Sequence, residues 1–320
     1  MKTTFRVLGT FFVGLIIITM GGCKINDIIE TPTTLQFKLV KDAAIKAKTQ
    51  NFSVNVSTGT TTLTSKKGVK VTLNGAALTK NGSVVTGKVN VEYIELFDKG
   101  NMLITDKPTM GLMSNGDKGL LKSGGMFFIK VSQDGVDLAT SEAFTLQVPA
   151  TTIDQDMILW KGDVTDSTNL VWKDARTVVK AGGITFDTNK KVYTVTFGNF
   201  GWTNIDKFYS DPRPKTTMLV AVPTGYDDTN SSIYLSYDGE GQNALAKLDT
   251  YTAEGLFSEH YGQIPIGLAC HIIFSTENNG HWMWAIKAVT IEADTTYTFT
   301  MDEFDQGTEA QLVSAVNAIQ

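Results

Sequence analysis

The sequence predicts an all-β protein, built as two β-sandwich domains and closed by a short C-terminal helix. Three observations predict it. Short segments alternate apolar and polar residues with a period of two, the pattern of a half-buried strand. Gly, Asn and Asp separate those segments, and Asn81-Gly82, Asp134-Gly135, Asp238-Gly239 and Asn279-Gly280 supply the positive-φ positions that tight hairpins need. Thr and Val recur throughout, as a pleated surface favours.

The elements follow in order. Residues 1–22 open with Lys2 and Arg6, continue through an apolar run from Val7 to Met20, and end in Gly21-Gly22 before Cys23. A cationic start, a short apolar centre and small residues before a cut site make a secretory signal. The run is shorter than the ~20 residues a membrane-spanning helix needs. Ending it at a cysteine resembles the bacterial lipobox, with Met20 where Leu is usual. That resemblance implies cleavage before Cys23 and lipidation of its thiol, with fatty acyl chains such as palmitate forming the membrane anchor. Residues 23–36 read as a lipidated polar tether. Lys24 is not an aspartate, so nothing here resembles an inner-membrane retention signal, and Asp27 and Glu30 are too sparse for a surface-export signal. The expected location is the cell envelope, at the outer membrane on its periplasmic or surface face.

Val40–Lys48 has spacing that permits a short helix. Strands are expected at Phe52–Val56, Val69–Leu73, Val84–Phe97, Met126–Ser132, Phe144–Val148, Val192–Phe197, Met218–Val222, Ile233–Tyr237, Cys270–Phe274, Trp282–Ile291 and Tyr297–Thr300. Gly241 extends the loop after Asp238-Gly239, which weakens that dipeptide as a two-residue hairpin. Asp211-Pro212-Arg213-Pro214 holds the backbone extended and denies ladder donors, as a stiff connection would. It separates an N-terminal β-sandwich region over 37–210, with a division near 150 as an alternative within it, from a C-terminal β domain over 216–320. Thr308-Glu-Ala-Gln311 resembles a capping box, after which Leu312, Val313, Val316 and Ile319 fall on one helical face.

Composition narrows the function classes. The chain has 28 basic and 33 acidic residues, net −5. Losing Lys2 and Arg6 with the leader leaves 26 against 33, a net charge of −7. An acidic body without a Lys/Arg stripe argues against nucleic acid. With Cys23 lipidated, Cys270 has no disulfide partner. Leu268, Cys270, Ile272 and Phe274 share one strand face, so Cys270 reads as a small buried hydrophobe.

The stretches Val85–Asp98, Pro108-Thr109 and Leu121-Lys-Ser-Gly-Gly-Met-Phe-Phe-Ile129 resemble the Ig-like β-sandwich of ZU5-like modules. Gly201-Trp202-Thr203-Asn204, Asp211–Pro214 and His260-Tyr-Gly-Gln-Ile-Pro-Ile-Gly-Leu268 are similar to segments of Bacteroidetes-type secreted lipoproteins of unassigned function. The resemblance implies fold and anchoring and carries no activity. Some ZU5 relatives cleave themselves at His-Phe-Ser; here Phe257-Ser258 and Phe274-Ser275 lack the preceding His.

Candidate chemistry is sparse. His260, His271 and His281 cluster in sequence, but their spacing is not that of a zinc shell. The loops Asp163–Asn169, with Asp163, Asp166 and Asn169, and Tyr226–Asn230 are acidic without spelling a calcium pattern, and read as turns. No Gly-x-Ser-x-Gly elbow or phosphate loop occurs, and Lys122-Ser123-Gly124-Gly125 reads as a bend in a sheet. No catalytic residue, metal or cofactor is expected. Trp282 and Trp284 share one strand face; exposed, they would form a platform for sugar rings, and buried they would be core. The expected function is a non-enzymatic, lipid-anchored envelope protein that presents β-sandwich domains for binding or assembly, its partners the membrane and an envelope protein or glycan. The alternatives are glycan binding through Trp282 and Trp284, and a hydrolase whose carboxylates pair only in space.

Overall fold

Alternation commits every other side chain of a strand to one layer, and here two sheets have apolar residues on both faces. A computed structural model describes residues 30–164, 170–178, 182–239 and 243–320. Cys23, Asp166, Asn169 and Gly241 lie outside the described residues.

The first sheet runs in the order Gln50–Asn55, Lys88–Leu96, Lys118–Gln133, Gly201–Phe208, Ile158–Asp163, Val171–Asp174, Met110–Leu112. The second runs Gly183–Asp187, Val192–Phe197, Phe144–Pro149, Lys70–Asn74, Thr60–Thr64. Val89, Val91, Tyr93, Phe127, Ile129 and Val131 leave the first sheet toward the second and meet Val71, Leu146, Val148 and Val195 in a closed apolar cluster. The third sheet, Thr250–Tyr251, Phe257–Pro265, Lys215–Ala221, Thr296–Thr298, faces the fourth, Ala246–Leu248, Ser231–Tyr237, Ala269–Asn278, His281–Thr290, Asp305–Gly307, over Met218, Val220, Cys270, Ile272 and Phe274. The protein is therefore all-β, with two face-to-face sheet pairs.

The remaining faces meet each other. Ile94, Leu96, Met126, Trp160 and Trp202 on the outer side of the first sheet share a cluster with Tyr234, Ile273, Trp282 and Trp284 on the outer side of the fourth. Three helices join that layer: α1 (Thr34–Lys48), α2 (Lys99–Ile104) and α3 (Glu309–Ala318). Phe37 of α1, Met102 of α2, and Leu312 and Val316 of α3 fill it. Full burial of such a side chain contributes about 1.5–3 kcal/mol, so the layer binds the two sheet pairs strongly. Strand pairing divides at Asp211–Pro214, yet Thr31–Gln320 form one compact unit. Near residue 150 the chain crosses from the second sheet to the first, over one shared cluster.

Local chemistry explains the helix ends. The Thr308 hydroxyl accepts from the Gln311 amide at 3.3 Å while Gln311 accepts from the Thr308 amide at 2.8 Å, the expected capping box. A second box starts α1 earlier than Val40: the Thr33 amide donates to Gln36 Oε1 at 2.9 Å and the Gln36 amide to Thr33 Oγ1 at 3.3 Å. Pro32 is already buried, so the polar tether ends before residue 36. Gly100 brings α2 against α3; a Cβ there would lie 2.7 Å from the Val313 carbonyl oxygen. The hairpins at Asn81-Gly82, Asp134-Gly135 and Asn279-Gly280 have φ of 50° and 83°, 52° and 77°, and 52° and 78°. In Asp238-Gly239 only the glycine is left-handed, at 79°, and the loop is longer.

Candidate functional site

The two tryptophans lie inside the molecule. Their strand, His281–Thr290, directs Trp282 and Trp284 to the helical layer, where they are 4 % and 6 % exposed. Phe37 meets Trp282 edge-on, with ring centroids 6.3 Å apart. The condition for a sugar platform fails, because Phe37 of α1, together with α3 and the outer side of the first sheet, covers the face that the strand alone would leave open.

The histidines do not converge. His271 Nδ1 lies 2.7 Å from Asp238 Oδ1, His260 Nδ1 lies 3.0 Å from Thr250 Oγ1, and His281 begins the next strand. Among the described residues no group of three His, Cys, Asp or Glu could hold a metal ion. Asp227 accepts from the Thr229 amide at 2.8 Å, and Asn230 accepts from the Asp227 amide at 2.9 Å, so this acidic loop spends its oxygens on its own turn. Asp163 pairs with Lys173 at 2.6 Å. Cys270 is fully buried, and burial pushes its thiol up to about 12, the setting of an inert core cysteine. Gly125, in the Ser123–Gly125 bend, has φ 137°, and a Cβ there would lie 2.7 Å from the Phe97 ring.

The chemistry that the structure does assemble centres on a bulge. Against the strand Lys215–Ala221, Thr216 pairs with Ile264 while Met218 pairs with Glu259, so three extra residues are thrown out of the ladder. Bulges re-aim side chains in this way. Gly262, with φ 67°, permits the turn. Glu259 points inward, 5 % exposed, and accepts from the amides of Gly262 at 3.1 Å and Gln263 at 3.3 Å. Burial, reinforced by the nearby charge of Asp249, raises its carboxyl to about 7 against the pull of those amides. Beside it Lys118 Nζ meets Asp249 Oδ2 at 2.5 Å, and the Tyr261 hydroxyl donates to the same oxygen at 3.0 Å. The small cavity between Glu259, Lys118 and Tyr237 has about 10 Å³, room for about one water.

Gln263 also borders an open crevice of about 210 Å³, shared with Met113, Phe208, Tyr209, Asp211 and Lys215 at the point where strand pairing divides. The Tyr209 hydroxyl donates to Asp211 Oδ2 at 2.9 Å, and Arg213 Nε to Asp211 Oδ1 at 3.0 Å. The Arg213 guanidinium holds the Asp211 carboxyl well below the usual carboxylate range. This site can seat a small polar group between Phe208 and Gln263. Its inner carboxylate is separated from the crevice by Gln263 and is already bonded. Nothing read from the sequence announced the bulge: Gly262 is its one local signal, and Glu259 carried none. The chain matches no protein-family model and none of the curated proteins.

Proposed function

We propose that this chain is a lipid-anchored protein of the bacterial cell envelope: exported, cut before Cys23, acylated there, and held at the outer membrane as a passive β-sheet body that binds or assembles with an envelope partner. The observation that carries this reading is the leader itself, Lys2 and Arg6, the Val7–Met20 run and Gly21-Gly22-Cys23, followed within a few residues by the folded body from Thr31. More than one acyl chain on one cysteine gives stable anchoring where a single chain gives only reversible binding. Two features favour binding over catalysis. Glu259 and Asp249 are engaged by amides, Lys118 and Tyr261 around a space of about 10 Å³, which no sugar or peptide enters. The strand Thr60–Thr64 ends the second sheet and contains neither a charge nor a proline. Such an unguarded edge accepts a partner strand by main-chain hydrogen bonding.

The test is made in the producing bacterium. Wild-type protein sediments with membranes, and Cys23→Ala is released into the soluble fraction. A photo-crosslinking residue at Thr62, on the edge strand, captures a discrete envelope protein. A Cys23→Ala chain that stays with membranes through carbonate extraction contradicts the anchor, and absence of any crosslink at Thr62 contradicts assembly through this edge.

A further inference from the structure

We infer that the solvent face of α1 is a second, non-covalent membrane contact that lies on the bilayer and fixes the orientation of the body. This deepens the anchoring reading and rests on it. Phe37 and Ala44 turn inward from α1, whereas Leu35 and Leu39, one turn apart, are 64 % and 55 % exposed, and Ala43 and Lys46 continue the same outer face. Neighbouring leucines left in water are apolar surface without a partner in the fold.

Chain length and charge identify the occupant. Ten residues separate Cys23 from Thr34, the start of α1. At about 3.6 Å per residue the helix cannot lie more than about 40 Å from the lipidated cysteine, and it is the first element the tether reaches. α1 carries Lys38, Lys41, Lys46 and Lys48 against Asp42, a net +3 in a chain whose net charge is −5. Lys41 and Lys48 are turned to Asp106 and Glu309; Lys38, beside the exposed leucines, is met by Asp42, and Lys46 stands exposed two turns beyond Leu39. An exposed apolar pair on a helix of net positive charge is the composition that binds an anionic lipid interface, even with Asp42 opposing Lys38.

The experiment uses the full chain, produced in bacteria, extracted and reconstituted into vesicles of phosphatidylethanolamine and phosphatidylglycerol. An environment-sensitive fluorophore is placed on Ala43→Cys, and intact mass reports the lipid on Cys23. The inference expects lipid on Cys23, blue-shifted emission, and quenching by spin-labelled lipids that falls at least about threefold when Leu35→Glu and Leu39→Glu are added. Both leucines are exposed, so this variant keeps the fold, which circular dichroism verifies. Lipidated protein whose fluorophore stays in water overturns the contact and leaves the anchor standing. A blue shift without quenching by lipid means that protein, such as a second copy, covers the face, and it also overturns the contact. Absence of lipid mass overturns the anchor and the contact together.

Discussion

Asp106 and Asp206 meet burial in opposite ways. Asp106, at the end of α2 with φ 52°, accepts from Lys247 Nζ at 2.8 and 3.0 Å, from Lys41 Nζ at 3.3 Å and from the Tyr234 hydroxyl at 2.7 Å. Burial pushes its carboxyl upward, but Lys247 and Lys41 together prevail and hold it well below the usual range. Asp206, in the bulge of the strand Gly201–Phe208, is wholly buried and receives the Asn204 side-chain amide, with no cation. Burial dominates there and raises the carboxyl well above its ordinary value, against the opposing hydrogen bonds of Ser123 and the Gly124 backbone. The first region joins α1, α2 and the fourth sheet by charge; the second places a carboxyl without a cation in a sheet interior. Burial alone does not decide a carboxylate's state; the partners that topology brings to it do.

The sharpest way to break this comparison is Asp106→Asn. Asparagine tolerates the left-handed backbone, so the change isolates charge. It leaves Lys41 and Lys247 facing each other half-buried and costs about 3–5 kcal/mol in urea unfolding at pH 7. Next in size is the pH dependence set by Glu259. Its folded-state value lies above the ordinary 4.5, at about 7, so the folded state binds the proton more tightly. Stability is greatest below pH 4.5, falls as pH rises toward 7, and is flat above, a loss on the order of 3 kcal/mol. Glu259→Gln removes that decline, which parallel denaturation series at pH 4.5, 6 and 8 measure. Asp106 has the opposite sign: its contribution is present above about pH 4 and is lost as pH falls below it. The smallest effect is Asp206→Asn, within about 1 kcal/mol of wild type, since burial there already disfavours the charged carboxylate and an amide of the same shape replaces it. If Asp206→Asn costs as much as Asp106→Asn, Asp206 is charged and the contrast collapses.

What the sequence made legible was local. Turn dipeptides, the strand Val192–Phe197 and the Thr308–Gln311 box all follow from neighbours a few residues apart. The Thr33–Gln36 box was equally local, but its polar residues resembled a tether, so the start of α1 was placed too late. The burial of Trp282 was not legible, because Phe37, which meets it edge-on, comes from the other end of the chain. The same holds for the bulge site: Glu259, Lys118 and Asp249 belong to separate segments, and only the register slip opposite Thr216 and Met218 brings them together. Periodicity reports which face a side chain takes and is silent about what covers that face.

The most direct test of the central claim is the intact mass of the mature protein extracted from its membrane, with N-terminal peptide mapping. The account predicts a chain that begins at Cys23 and carries diacylglycerol on its sulfur. A chain that retains residues 1–22, or that begins at an unmodified Cys23, contradicts it.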